Sequence, residues 1–220
     1  MLIKLCGATT GAEVDAVAAS GADLIGLWHR VPGGHADLTA ERLTVLAARS
    51  RTVGLAPVLV TFSSDTTGLL AAITAARTPW IQLHGFQTPS VVRTLREKGP
   101  DGLKIAKVLH VRDGACLEGR LTGAYERAGA DCFLFDPVTD DGRVGSTAQC
   151  LKDRAVTTLA DATGLPFLLA GGLGPGNRGD FPATRAHPRF LGIDADSAAR
   201  APGGLLDTDH ATALTRAWRA

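Results

Sequence analysis

Three observations on this 220-residue chain predict an α/β fold, a single-domain (β/α)8 TIM barrel. Short apolar runs alternate with helix-length stretches from end to end, which argues for parallel strands. Eight such pairs can be counted, the number a closed parallel barrel needs. No Gly-x-Gly-x-x-Gly follows the first apolar run, so the doubly wound alternative lacks its phosphate turn.

The predicted strands are 2–6, 23–28, 53–61, 80–84, 103–109, 131–136, 166–170 and 190–194. Each is a short apolar run, several of them bounded by Gly, Pro or Asp. The predicted helices are 11–20, 39–49, 65–76, 88–97, 113–128, 149–163, 177–186 and 207–219. Thr39, Asp65, Thr88 and Asp207 stand where N-caps belong, with Pro89 at a first helical position. No linker, low-complexity tract or charge block interrupts the alternation, so residues 1–220 read as one domain. Ser20–Leu27 resembles Ala128–Phe135, 108 positions later. That echo fits two stacked half-barrels, and it equally fits a common helix-to-strand connection with Gly as the cap.

Composition narrows the function. Apolar residues make up 45% and charged residues 20%, the balance of a soluble globular protein. A net charge of +1 gives no bulk attraction to nucleic acid or acidic lipid, so any anion site must be local. No run approaches the roughly 18 apolar residues of a membrane span, and Lys4 and Gly7 interrupt the N-terminus too early for a signal peptide. Cys6, Cys116, Cys132 and Cys150 lack zinc-type spacing and read as reduced thiols. The expectation is a cytoplasmic protein, without a metal, whose partner is a small molecule.

In such a barrel the chemistry sits where strands run into the following loops. Cys6 ends the first strand and shares an alternating face with Lys4, which would lower the thiol pKa. It is a candidate base, or a small core residue. Asp136 ends the apolar run Cys132–Phe135 and is a candidate acid, or a turn residue before Pro137. Gln82 and His84 share a face at the end of the fourth strand, as site residues or as a satisfied structural pair. Gly171, Gly172 and Gly174 after the seventh strand, with Asp194 and Ser197 at the eighth, suggest a phosphate cradle, or a flexible turn.

Those residues fall in motifs that resemble the phosphoribosylanthranilate isomerase family. Lys4-Leu5-Cys6-Gly7 resembles its K-[IV]-C-G, and Gly21–Gly26 its G-A-D-x-[IV]-G. Gln82-Leu83-His84-Gly85 matches Q-L-H-G, and Ala170–Asn177 matches A-G-G-L-x-P-x-N. Ile193–Ser197 with Pro202, Gly203 and Asp207 follows V-D-V-S-S-G…P-G-x-K-D. The resemblance implies an Amadori rearrangement of an N-(5-phosphoribosyl)amine, with Cys6 as base and Asp136 as acid. It implies no metal or organic cofactor, because the protonated imine is the electron sink. The expected assembly is a monomer or homodimer.

Three loops depart from the family pattern. The Arg that holds the substrate carboxylate falls at His35 or Ala36, with Arg30 and Arg143 as possible substitutes. G-G-[TS]-G becomes Gly142-Arg143-Val144-Gly145, and V-S-S-G becomes Ala195-Asp196-Ser197-Ala198. A carboxylate at Asp196 suits a phosphate only if it points away. The rival readings are another sugar-phosphate epimerase, aldolase or lyase, and a non-catalytic phosphometabolite-binding protein.

Overall fold

The computed structural model describes residues 1–138 and 150–220. Arg143 and its loop lie outside them. Eight parallel strands close on themselves: β1 (Leu2–Cys6), β2 (Leu24–Trp28), β3 (Ala56–Thr61), β4 (Trp80–Leu83), β5 (Lys104–Arg112), β6 (Cys132–Pro137), β7 (Phe167–Leu169) and β8 (Phe190–Ala195). The closing pair sets Lys4 beside Asp194 in register. Outside run α1 (Gly11–Ala19), α2 (Ala40–Thr52), α3 (Thr66–Ala76), α4 (Pro89–Lys98), α5 (Thr122–Ala128), α6 (Asp153–Asp161), α7 (Pro182–Ala186) and α8 (Thr208–Arg219).

Strand alternation divides the side chains between two layers. Ile3, Leu5, Ile81, Leu83, Phe133 and Phe135 pack in the large apolar layer under the helices. The intervening residues fill the barrel. Leu24, Val58 and Val60 cluster with Cys6, while Val108, Leu134, Leu168 and Ala170 form a second group.

Capping explains where the helices start. Thr10 and Glu13 form a reciprocal capping box on α1, while Thr39, Asp65 and Asp207 accept first-turn N–H groups of α2, α3 and α8. Thr88 makes no side-chain cap, and Pro89 starts α4 instead.

Three helices differ from expectation. Residues 113–121 form a tight hairpin, pairing Ala115–Cys116 back onto β5, and then a 3₁₀ turn, so α5 begins only at Thr122. Asp113 and Gly114 both adopt positive φ there, a turn that a helix excludes. The helix expected at 149–163 shortens to α6, and that at 177–186 becomes a 3₁₀ turn followed by the five-residue α7.

The sequence echo has a local cause. Asp23 Oδ2 accepts from Ile3 N at 2.8 Å and from Arg219. Asp131 Oδ2 accepts from Ile105 N at 2.7 Å and from Arg96. Each Gly-Ala-Asp pins the start of its own strand to the start of the preceding neighbour.

Candidate active site

The C-terminal mouth of the barrel collects the inward-facing strand ends. Lys4 is fully buried and its Nζ donates to Asp194 Oδ2 at 2.7 Å and to Cys6 Sγ at 3.2 Å. Gly26 on β2 makes room for this group, since a Cβ there would lie 2.3 Å from Cys6 Sγ and 3.1 Å from Lys4 Nζ. Burial pushes the Cys6 thiol up to about 12, against the pull of Lys4. Lys4 pulls the thiol down, as its position on β1 predicted, but burial outweighs that pull. Its ammonium is shared with Asp194, whose own charge also disfavours a thiolate. Burial also raises the Asp194 carboxyl despite Lys4.

Across the mouth, Asp136 is buried on β6 and Oδ2 lies 3.1 Å from His84 Nε2. Gln82 Nε2 sits 2.9 Å from His84 Nδ1. An amide N–H there needs an acceptor, so Nδ1 carries the lone pair and Nε2–H donates to Asp136. The Gln82–His84 pair thus orients a carboxyl rather than only satisfying itself. Asp194 lies within electrostatic reach of both His84 and Asp136 as well as Lys4. It is the electrostatic bridge between the two sides.

The loop after β7 turns through Gly171 and Gly172, with φ of 88° and 56°, a path that side chains resist. Asn177 clamps it, donating to Gly172 O at 2.9 Å and accepting from Gly174 N at 3.0 Å. Gly174 N–H is therefore already engaged. A Cβ on Gly174 would lie 3.6 Å from Ala198 Cβ, so the loops after β7 and β8 adjoin. Ser197 is exposed at the start of a 3₁₀ turn. The helix predicted from 177 does not start at these glycines: a 3₁₀ turn and the five-residue α7 follow them, so no long helix aims its dipole at the turn.

Asp196 turns aside. Its Oδ1 accepts from Arg200 Nε at 2.5 Å, and Oδ2 lies 3.7 Å from His35 Nε2. Arg200 also donates to the Cys6 and Gly7 carbonyls, tying β8 to β1. His35 packs edge-on to Trp28, ring centres 4.7 Å apart. Arg30 is engaged with Asp65 at the start of α3.

Sequence reading missed three groups. Trp28 Nε1 donates to Cys6 Sγ at 3.0 Å. His110, paired in register with Asp136, holds Glu118 Oε1 at 2.6 Å through Nδ1. Lys107 is buried beside Glu118, and burial pushes it down to about 8. Alternation along β2 would have exposed Trp28. Glu118 reaches His110 only because of the unforeseen hairpin.

Fold and mouth together define a (β/α)8 barrel protein with a thiol on β1 and a carboxyl on β6 at one C-terminal opening. The family model for N-(5'-phosphoribosyl)anthranilate isomerase matches residues 3–212. N-(5'-phosphoribosyl)anthranilate isomerases of Nitrobacter hamburgensis and Azorhizobium caulinodans are each 32% identical to the chain. The first alignment covers 100% of this chain and 93% of the relative, the second 99% and 91%. The chain belongs to the N-(5'-phosphoribosyl)anthranilate isomerase family. The solved isomerase of Thermus thermophilus shares the fold with a TM-score of 0.79 at 22% identity, covering 100% of this chain and 98% of that one. Another family structure, in complex with reduced 1-(o-carboxyphenylamino)-1-deoxyribulose 5-phosphate, superposes with a TM-score of 0.75 at 18% identity. That alignment covers 100% of this chain and 98% of that one.

Proposed function

We propose that this isomerase carries out the Amadori rearrangement with Cys6 as base and Asp136 as acid. The carrying observation is the opposition of two held groups at one mouth: a thiol between N–H donors on β1 and a carboxyl oriented by His84 on β6. Protonated Asp136 gives its proton to the furanose ring oxygen as the C1–O bond breaks and the amine nitrogen forms an iminium. The Cys6 thiolate then removes the C2 proton, leaving an enolamine. Protonation at C1 with loss of the C2 hydroxyl proton yields the 1-amino-1-deoxyribulose 5-phosphate. Each proton transfer contributes about 10²–10⁴-fold in rate.

The substrate phosphate is assigned to the Gly171 and Gly172 turn with Ser197, and remote phosphate binding holds C2 near the base. Asn177 supports that turn. The aglycone side faces the end of β2 and the loop after it, where His35, in edge contact with Trp28, stands in place of a guanidinium grip. Purified protein should convert phosphoribosylanthranilate. Cys6→Ala and Asp136→Asn should each lower kcat by about 10²–10⁴-fold with the fold intact. Absence of turnover by the unsubstituted protein would sink the anthranilate reading, and a phosphoribosyl derivative of a related amine would then be tested. Turnover surviving Cys6→Ala would favour another sugar-phosphate reaction on this barrel.

A further inference from the structure

The sulfur of Cys6 accepts from two nitrogen donors on different strands. Lys4 Nζ approaches at 3.2 Å from two residues away on β1, and Trp28 Nε1 at 3.0 Å from β2. A thiol is a weak acceptor, whereas a thiolate holds N–H donors firmly. Two converging donors are therefore a cradle for the anion. The ammonium alone is a divided resource, because Asp194 Oδ2 takes it at 2.7 Å. Among the described residues the indole N–H has no such competitor, being a single donor with one acceptor.

The surroundings make that donor count. Asp194 on β8 and Asp196 after it both oppose negative charge on the sulfur, and desolvation opposes it further. Arg200 reaches the Cys6 carbonyl and not its sulfur, and pairs with Asp196. His35 meets the indole ring by an edge contact. Among the described residues, Lys4 and Trp28 are thus the two groups that favour the anion.

We propose, resting on the reading of Cys6 as the base, that Trp28 is a positioning residue whose indole N–H stabilises and aims the Cys6 thiolate. The indole fixes the direction of the sulfur lone pair that remains for the C2 proton. A Trp at this place also sets the size of the mouth beside the base.

The test uses the purified full chain. Trp28→Phe keeps an aromatic ring in the cluster of Leu24, Val58 and Val60 and removes the donor. Below the thiol midpoint, alkylation by iodoacetamide follows the thiolate fraction, and mass spectrometry reads Cys6 separately from exposed Cys150. The Cys6 rate at pH 8 should fall about tenfold, one unit in its midpoint, with Cys150 unchanged. The ratio kcat/KM should fall by a similar factor through kcat, with KM within about twofold, and Trp28→His should restore part of both. An unchanged Cys6 rate in a folded Trp28→Phe protein overturns the proposal. If Trp28→Phe loses its thermal unfolding transition, the Trp28 indole proton resonance decides. It should shift between the unsubstituted protein and Cys6→Ala, and an unchanged resonance overturns the proposal. Turnover surviving Cys6→Ala would instead remove Cys6 as the base while leaving the alkylation result standing, so the two failures are distinct.

Discussion

Lys4 and Asp194 show how single residues divide their work between stability and chemistry. Both are buried, and their 2.7 Å pair is set by the strand register that closes the barrel. Lys4→Met should leave Asp194 charged without its partner and cost about 3–5 kcal/mol in urea unfolding. It should also slow Cys6 alkylation, because the ammonium that favours the thiolate is gone. Glu118 gives a pH-dependent counterpart. Burial works against its charge, but bonds from His110 and the nearby Lys107 hold its carboxyl below the usual range. A depressed carboxyl contributes stability above its unfolded value and loses it as pH falls through the folded one. The urea midpoint should therefore fall from pH 6 toward pH 3, and Glu118→Gln should flatten that fall.

At the scale of elements, strand ends and the loops after them set the site. Gly26 lies in the middle of β2 only because Cys6 Sγ occupies the place of its side chain. Gly26→Ala should displace the sulfur, lowering kcat with a modest stability loss of about 1–3 kcal/mol. The loop after β7 depends on Asn177, which closes it onto Gly172 and Gly174. Asn177→Ala should raise KM for the phosphorylated substrate and weaken inhibition by inorganic phosphate, while kcat changes less. Both arrangements lie in motifs that the sequence displayed, Gly21–Gly26 and Ala170–Asn177. Their physical reasons, a sulfur filling a glycine's space and an amide clamping a turn, appear only in three dimensions. The region 113–121 was misread for the opposite reason. The alternation of strands and helices placed a helix over 113–128, yet the positive φ at Asp113 and Gly114 turned the chain back along β5.

For the whole molecule, closure is the deciding property. β4 pairs with β5 and β1 with β8, so the eight parallel strands leave no edge among themselves and all their C-terminal ends share one mouth. Arg200 extends this closure beyond the strands by joining the loop after β8 to the Cys6 and Gly7 carbonyls. No helix of the described residues is long and apolar enough to cross a membrane.

Periodicity in the sequence determined the eight strand–helix units, because alternating burial is written in residue type and spacing. It also marked Cys6, Asp136, His84 and the glycine turn, because polar residues that end apolar strands stand out against their neighbours. Only the tertiary structure decided what those residues meet. The balance at Cys6 depends on Lys4, Trp28, Asp194 and Asp196, contributed by β1, β2, β8 and the loop after β8. Asp196 proved to face Arg200 and His35 for the same reason. Electrostatic effects depend on distance and burial, and these follow from closure of the barrel rather than from position along the chain.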